Sequence, residues 1–272
     1  MKKLSLIIGG VVAALIIFVA VMFFVNDGVA SEFRQIRQPA PNLFYIAVDV
    51  SATIEEGTLF DFKYNVISRL RQFIGEEAVS YHVVSFGNPG CGMESVRKVV
   101  ATQSPQDETA FTYEVENKIR EISVPKIDPT STKPLTTPLY ALLKNVLPKR
   151  KGGRFIIFSD LLNEDSDCPR QHPFPESALK EFGEDKTGQI IFLYTTPHPS
   201  KAEKQQAFID RIKEMANKGE IRAFFYHVPD DPEDRSGFME SQLQKSIPST
   251  TYEIVLERAS RMVDSIVTAV RG

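Results

Sequence analysis

Runs that are apolar at consecutive positions, rather than at every second one, constrain this chain most. Phe44 to Val48, "FYIAV", and Arg154 to Ser159, "RFIIFS", combine β-branched and aromatic residues without a wet face. A strand with one solvated side alternates, whereas a strand covered on both sides does not. Such strands belong to a parallel sheet held between two layers of helix, and the stretches between them have the period that helices need. Thr58 to Ile74, for example, repeats Leu59, Phe62, Val66, Ile67, Leu70 and Phe73 at helical spacing.

Applied along the chain, this reading predicts strands at Leu43 to Val50, Val79 to Phe86, Ser95 to Thr102, Arg154 to Ser159, Gln189 to Tyr194 and Ile221 to Val228. The third is short and follows a tight Gly/Pro connection, which suits an antiparallel edge. Helices are expected at Thr58 to Ile74, Glu108 to Ile122, Pro138 to Val146, Glu176 to Phe182, Lys201 to Asn217 and Tyr252 to Val270, with Thr137 capping the third. The expected fold class is α/β: a doubly wound, mostly parallel sheet with helices on both faces.

The N-terminus has a different character. From Leu4 to Val25 the only polar side chain is Ser5, so as a helix this stretch can cross a hydrocarbon core of about 30 Å. Lys2 and Lys3 precede it while Asn26 and Asp27 follow, which places the N-terminus in the cytoplasm and the remaining chain outside. The resulting division is a cytoplasmic end at 1–3, a transmembrane signal anchor at 4–25, a tether at 26–41 and a folded domain at 42–272. A cleaved signal peptide is the alternative, because Gly28-Val29-Ala30 is an acceptable cleavage site. The expected location is a single-pass membrane protein with its globular part periplasmic or at the cell surface.

A formal charge of -3 argues against nucleic acid as a partner. The cationic cluster Lys149-Arg150-Lys151 sits in a Pro/Gly-bounded turn and reads as a solvated loop. Cys91 and Cys168 both fall in the exported part, each in a loop just past a predicted strand. Outside the cytoplasm a Cys91–Cys168 disulfide is expected if those strands are parallel neighbours or near neighbours, and two unrelated buried thiols are the other reading.

Where strands of an open parallel sheet end, ligands bind. Asp49, Ser51, Thr53, Thr137 and Asp160 all map to that edge. Carboxylates and hydroxyls without His or Cys form a hard oxygen set, suited to Mg²⁺, Mn²⁺ or Ca²⁺ rather than zinc. Alternate residues leaving a strand point the same way, so the oxygens of "DVSAT" can turn toward one point. Individually each has a simpler role: Asp49 as a turn acid, Thr137 as an N-cap, Asp160 as a loop acid. His82, among buried strand residues, reads as a packed histidine, and His172 belongs to the polar loop "NEDSDCPRQHPFPE".

Taken with "TTPLYALL" opening a helix and "IIFSD" ending a strand, "DVSAT" resembles the von Willebrand factor A family, also called the integrin I-type domain. The resemblance covers about Asn42 to Arg271, beyond Asp160 in element order only. It implies a metal-ion-dependent adhesion site with Asp49, Ser51, Thr53, Thr137 and Asp160 as ligands, and Thr136 as the fallback for Thr137. The chain departs from the family pattern with Thr53 in place of Ser and with Leu161 where Gly is usual after the last acid. The implied function is recognition of an Asp or Glu carboxylate on a protein partner through the open position of the ion, in adhesion or envelope assembly. A scaffold of a membrane complex with a merely structural metal is a second possibility.

An enzyme is a third. "DVSAT" is similar to the DxDxT opening of haloacid dehalogenase-type phosphatases, but Ser51 stands where their general acid is required, and a hydroxyl cannot transfer a proton near neutral pH as a carboxyl does. No G-x-S-x-G, P-loop or H-E-x-x-H occurs. The expectation is a binding protein without catalytic residues.

Overall fold

The computed structural model describes residues 42–76, 79–126, 133–134, 136–150, 152–185 and 187–247. These belong to the unit Pro41–Gly272; the other unit, Met1–Ala40, lies outside the described residues together with the anchor and tether expected there. The expected helix at Tyr252 to Val270 also lies outside them. Among the described residues no helix is long and apolar enough to cross a membrane.

In chain order the elements are β1 (Asn42–Asp49), α1 (Glu56–Arg71), β2 (Val79–Phe86), β3 (Val96–Gln103), α2 (Glu108–Phe111), a π turn (Thr112–Glu116), α3 (Asn117–Arg120), α4 (Leu139–Val146), β4 (Arg154–Ser159), α5 (Glu176–Gly183), β5 (Gln189–Tyr194), α6 (Ala202–Asn217), β6 (Ala223–His227) and α7 (Pro232–Ser246). They build a six-stranded sheet in the order β3-β2-β1-β4-β5-β6. All neighbours are parallel except β3, which runs antiparallel to β2 at the edge, with a register shift at Val83/Val84.

The side-chain parity of the strands divides the core in two. Ile46, Val48, Val83, Ile156, Phe158, Ile191 and Leu193 face α1, α2, α3 and α7, while Ala47, Phe86, Phe155, Ile157 and Phe192 face α4, α5 and α6. Phe62 stacks on Phe158 at 4.4 Å in the first layer, and Tyr45 on Phe155 at 4.6 Å in the second. Each fully buried side chain of this size contributes roughly 1.5–3 kcal/mol over leaving it in water. Burial on both sides is therefore what the uninterrupted apolar strands provide for.

Two expectations need correction. Thr137 does not cap α4: the helix starts a residue later, at Leu139, and Thr137 instead exchanges backbone hydrogen bonds with Glu164, both 2.9 Å. The cap comes from another loop, as Asn163 Oδ1 accepts the Tyr140 N–H at 2.9 Å. The helix expected at 108–122 is broken by the π turn and ends at Arg120. Helix α7 lies between the predicted strand ending at Val228 and the predicted helix starting at Tyr252, where the sequence pattern marks no element. Its start is an ordinary one: Asp231 accepts the Glu233 N–H at 3.0 Å, with Pro232 in the first helical position.

Candidate metal centre

From β1 the chain crosses to β2 on one side, and from β4 to β5 on the other, so the sheet reverses its winding between β1 and β4. A crevice opens at the carboxyl ends of such a strand pair because the two connections diverge. Asp49 is the last residue of β1 and Ser159 the last of β4; both are fully buried. Since Val48 is paired with Phe158, the next residues stand side by side, and Ser159 Oγ donates to Asp49 Oδ2 at 2.6 Å. The other carboxylate oxygen, Oδ1, accepts the Ser51 N–H at 2.8 Å.

Beyond Asp49 the chain turns, closed by the Ile54 N–H to the Ser51 carbonyl at 3.1 Å. That turn brings the Ser51 and Thr53 hydroxyls to 2.9 Å from each other. Thr53 Oγ1 donates to Asp160 Oδ2 at 2.6 Å. With the threonine proton used there, the Ser51 hydroxyl is the donor to Thr53. Asp160 Oδ1 accepts the Leu162 N–H at 3.1 Å. Asp49, Ser51, Thr53 and Asp160 thus form one hydrogen-bonded cluster drawn from two strand ends.

Thr137 is buried beside the chain leaving β4, through its backbone bridge to Glu164. Among the described residues no hydrogen bond links its hydroxyl to the other four. The Thr136 hydroxyl points elsewhere, donating to the Gly90 carbonyl at 2.7 Å. His82 stacks on Tyr45, centroids 6.2 Å apart, and His172 donates its backbone N–H to Asp165 Oδ2 at 2.6 Å; neither joins the cluster. Cys91 and Cys168 form a disulfide with Cα atoms 5.7 Å apart.

Several residues that support the cluster escaped the sequence reading. Ser159 is one, although its place directly before Asp160 at a buried strand end was a usable signal. Gly87 is another: at φ +89° it lies so close that a Cβ would come 2.8 Å from the Ser51 nitrogen and 3.0 Å from Asp49 Oδ1. Only glycine combines that backbone with that approach. Gln205, on α6, donates from Nε2 to the carbonyls of Asp160 and Thr195, both at 2.8 Å, and so ties the ends of β4 and β5 together. Leu161 adopts φ 60° and is 1% exposed, a left-handed conformation that side chains with a Cβ resist.

The electrostatics are those of two acids confined together. Burial, then the nearby Asp160 charge, push the Asp49 carboxyl up to about 7, against the pull of hydrogen bonds from Ser159 and Ser51. Burial also raises Asp160, while hydrogen bonds from Thr53 and Leu162 hold it down. The hydrogen-bond donors to these carboxylates are hydroxyls and backbone N–H groups. Among the described residues no three His, Cys, Asp or Glu side chains gather as a metal cluster, so the hydroxyls would have to complete any coordination here.

No protein-family model and no curated protein matches the chain. Among solved structures it is similar to a von Willebrand factor type A protein from Catenulispora acidiphila, at 11% identity over 76% of this chain and 42% of that one, with a TM-score of 0.46. It is also similar to the pilus adhesin SpaC from Lactobacillus rhamnosus GG in its open conformation, at 13% identity over 76% and 30%, TM-score 0.49. A third is the PilB minor pilin from Streptococcus sanguinis, at 8% identity over 76% and 62%, TM-score 0.42. The chain spans less than two thirds of the length of each.

Proposed function

We propose that this chain is a membrane-anchored, exported domain of the von Willebrand factor A type, which binds a divalent cation and through it recognises a carboxylate on a protein partner. The observation that carries this reading is the hydrogen-bonded cluster of Asp49, Ser51, Thr53 and Asp160 at the point where the sheet reverses its winding. Two buried carboxylates, one raised to about 7, represent an electrostatic cost that a dication would remove. The donor chemistry fits Mg²⁺, with Mn²⁺ or Ca²⁺ as substitutes, because all four side chains offer hard oxygen.

Asp49, Ser51, Thr53 and Asp160 would hold the ion, with Thr137 completing the set from the chain opposite. Thr137 is favoured over Thr136, whose hydroxyl is committed to Gly90. Once bound, the ion would supply positive charge to attract an Asp or Glu side chain of the partner. The protein's part is orientation: Ser159 and the Ser51 N–H fix the plane of the Asp49 carboxylate, and the Leu162 N–H that of Asp160. The membrane anchor at 4–25 would display this edge outside the cytoplasm.

Calorimetric titration of the full chain with Mg²⁺ tests the metal, and capture on an immobilised Asp-containing peptide, with and without chelator, tests the partner chemistry. Binding in both assays should vanish in Asp49→Ala and in the presence of EDTA. Unchanged capture in both conditions would sink the proposal.

A further inference from the structure

We infer that the Cys91–Cys168 disulfide is a positioning device for Thr137, so that opening it weakens cation binding at the β1/β4 edge while the sheet stays folded. This inference rests on the metal-centre reading above.

The segment carrying Thr136 and Thr137 runs between two loops, the one joining β2 to β3 and the one leaving β4. On the first side Gly90 donates its N–H to the Pro134 carbonyl at 3.0 Å, and its own carbonyl accepts from Thr136 Oγ1 at 2.7 Å. On the second side Thr137 and Glu164 exchange two backbone hydrogen bonds of 2.9 Å. The disulfide joins these same two loops, from Cys91, next to Gly90, to Cys168, whose N–H is bonded to the Asp165 carbonyl at 3.0 Å. Thr136 and Thr137 therefore sit inside a closed ring, of which the sulfur bridge is the covalent member.

Each hydrogen bond in that ring contributes only about 0.5–1.5 kcal/mol net, so the loops can part locally once the covalent link is gone. The bridge spans a sequence separation of 77 and ties the two loops covalently. Neither cysteine belongs to the two core layers. Loss of the bond thus frees the Thr137 segment and leaves the layers that hold Asp49 and Asp160.

The step is a thiol–disulfide exchange. A dithiol reductant supplies two electrons and two protons, the Cys91–Cys168 bond breaks into two thiols, and the dithiol closes into its own disulfide. Cys91 is half-buried and Cys168 is 7% exposed.

The test uses the full chain, oxidised or treated with dithiothreitol, and reads three quantities: Mg²⁺ affinity by calorimetry, hydrogen-exchange protection of the Thr137 and Glu164 amides, and the unfolding temperature. Reduction should weaken Mg²⁺ by about tenfold, the scale seen when groups that orient ligands are lost, and should remove protection at those two amides in a protein that still unfolds cooperatively. The Cys91→Ser/Cys168→Ser double variant should reproduce this and no longer respond to dithiothreitol, and reoxidation of the wild type should restore both readouts. Unchanged protection, unchanged affinity, or collapse of cooperative unfolding on reduction each overturns the inference. Oxidised protein that fails to bind Mg²⁺ at all overturns the metal reading and this one together, and is recognised by its independence of redox state.

Discussion

Ser159 Oγ lies 2.6 Å from Asp49 Oδ2, a contact between strand ends separated by 110 positions in the chain. Both residues are fully buried, so this hydroxyl helps decide where the carboxylate points. Ser159→Ala is expected to leave the fold intact at a stability cost of about 1–3 kcal/mol, that of an acceptor left short of a donor. Mg²⁺ affinity should fall by roughly tenfold through lost orientation. Chemical denaturation and calorimetry on the same variant check the two parts.

Leu161 holds a left-handed backbone while its side chain is buried. Glycine would relieve roughly 1–2 kcal/mol of backbone strain, yet removing a buried leucine costs about 2–5 kcal/mol, as in leucine-to-alanine changes. Packing wins. Leu161→Gly should therefore be destabilised, by up to about 4 kcal/mol in urea unfolding, the upper end of the difference between the two cited ranges; a stabilised variant would show that strain dominates here.

Thr136 and Thr137 are neighbours in sequence but face different partners. The Thr136 hydroxyl is bonded to Gly90, so Thr136→Ala should lower the unfolding temperature more than it lowers Mg²⁺ affinity. Thr137→Ala should do the reverse, with an affinity loss of about tenfold or more and little change in melting. Parallel calorimetry and thermal scans of the two variants distinguish the roles.

In chelator, stability should fall as pH rises. The Asp49 carboxyl is raised in the folded state from 3.8 to about 7, so the folded chain holds a proton that the unfolded chain has already released. That contribution is full below about pH 4 and is lost as pH climbs toward 7, by an amount on the order of a few kcal/mol. Saturating Mg²⁺ should abolish the slope between pH 5 and 8, since the ion binds the deprotonated carboxylate and neither the folded nor the unfolded state then carries the proton, and Asp49→Asn should flatten it in chelator. Urea midpoints at pH 5, 6, 7 and 8 with and without Mg²⁺ measure both.

The strands were legible because their signal is local. Burial on two sides shows in "FYIAV" and "RFIIFS" without knowledge of the neighbours. The candidate ligands Asp49, Ser51, Thr53 and Asp160 were legible for the same reason, as oxygens placed directly after such strands. Helix α7 was harder: its buried residues are Arg235, Met239, Gln242, Leu243 and Ser246, too polar to make an apolar stripe. Arg235 is satisfied only in three dimensions, by the carbonyls of Pro229 and Asp230 and by ion pairs with Glu55 and Asp61. Its start at Asp231-Pro232-Glu233 was the local clue.

By itself, then, the order of residues determined that a layered sheet forms and which oxygens stand at its carboxyl edge, since periodicity and strand ends are properties of short stretches. Only the tertiary structure decided which of those oxygens touch, because contact depends on pairing between segments far apart. The β1–β4 register put Ser159 against Asp49, the turn after β1 reached across to Asp160, and the backbone bridge to Glu164 took Thr137 out of its expected capping role. Through-space geometry of this kind leaves no periodic trace in the chain.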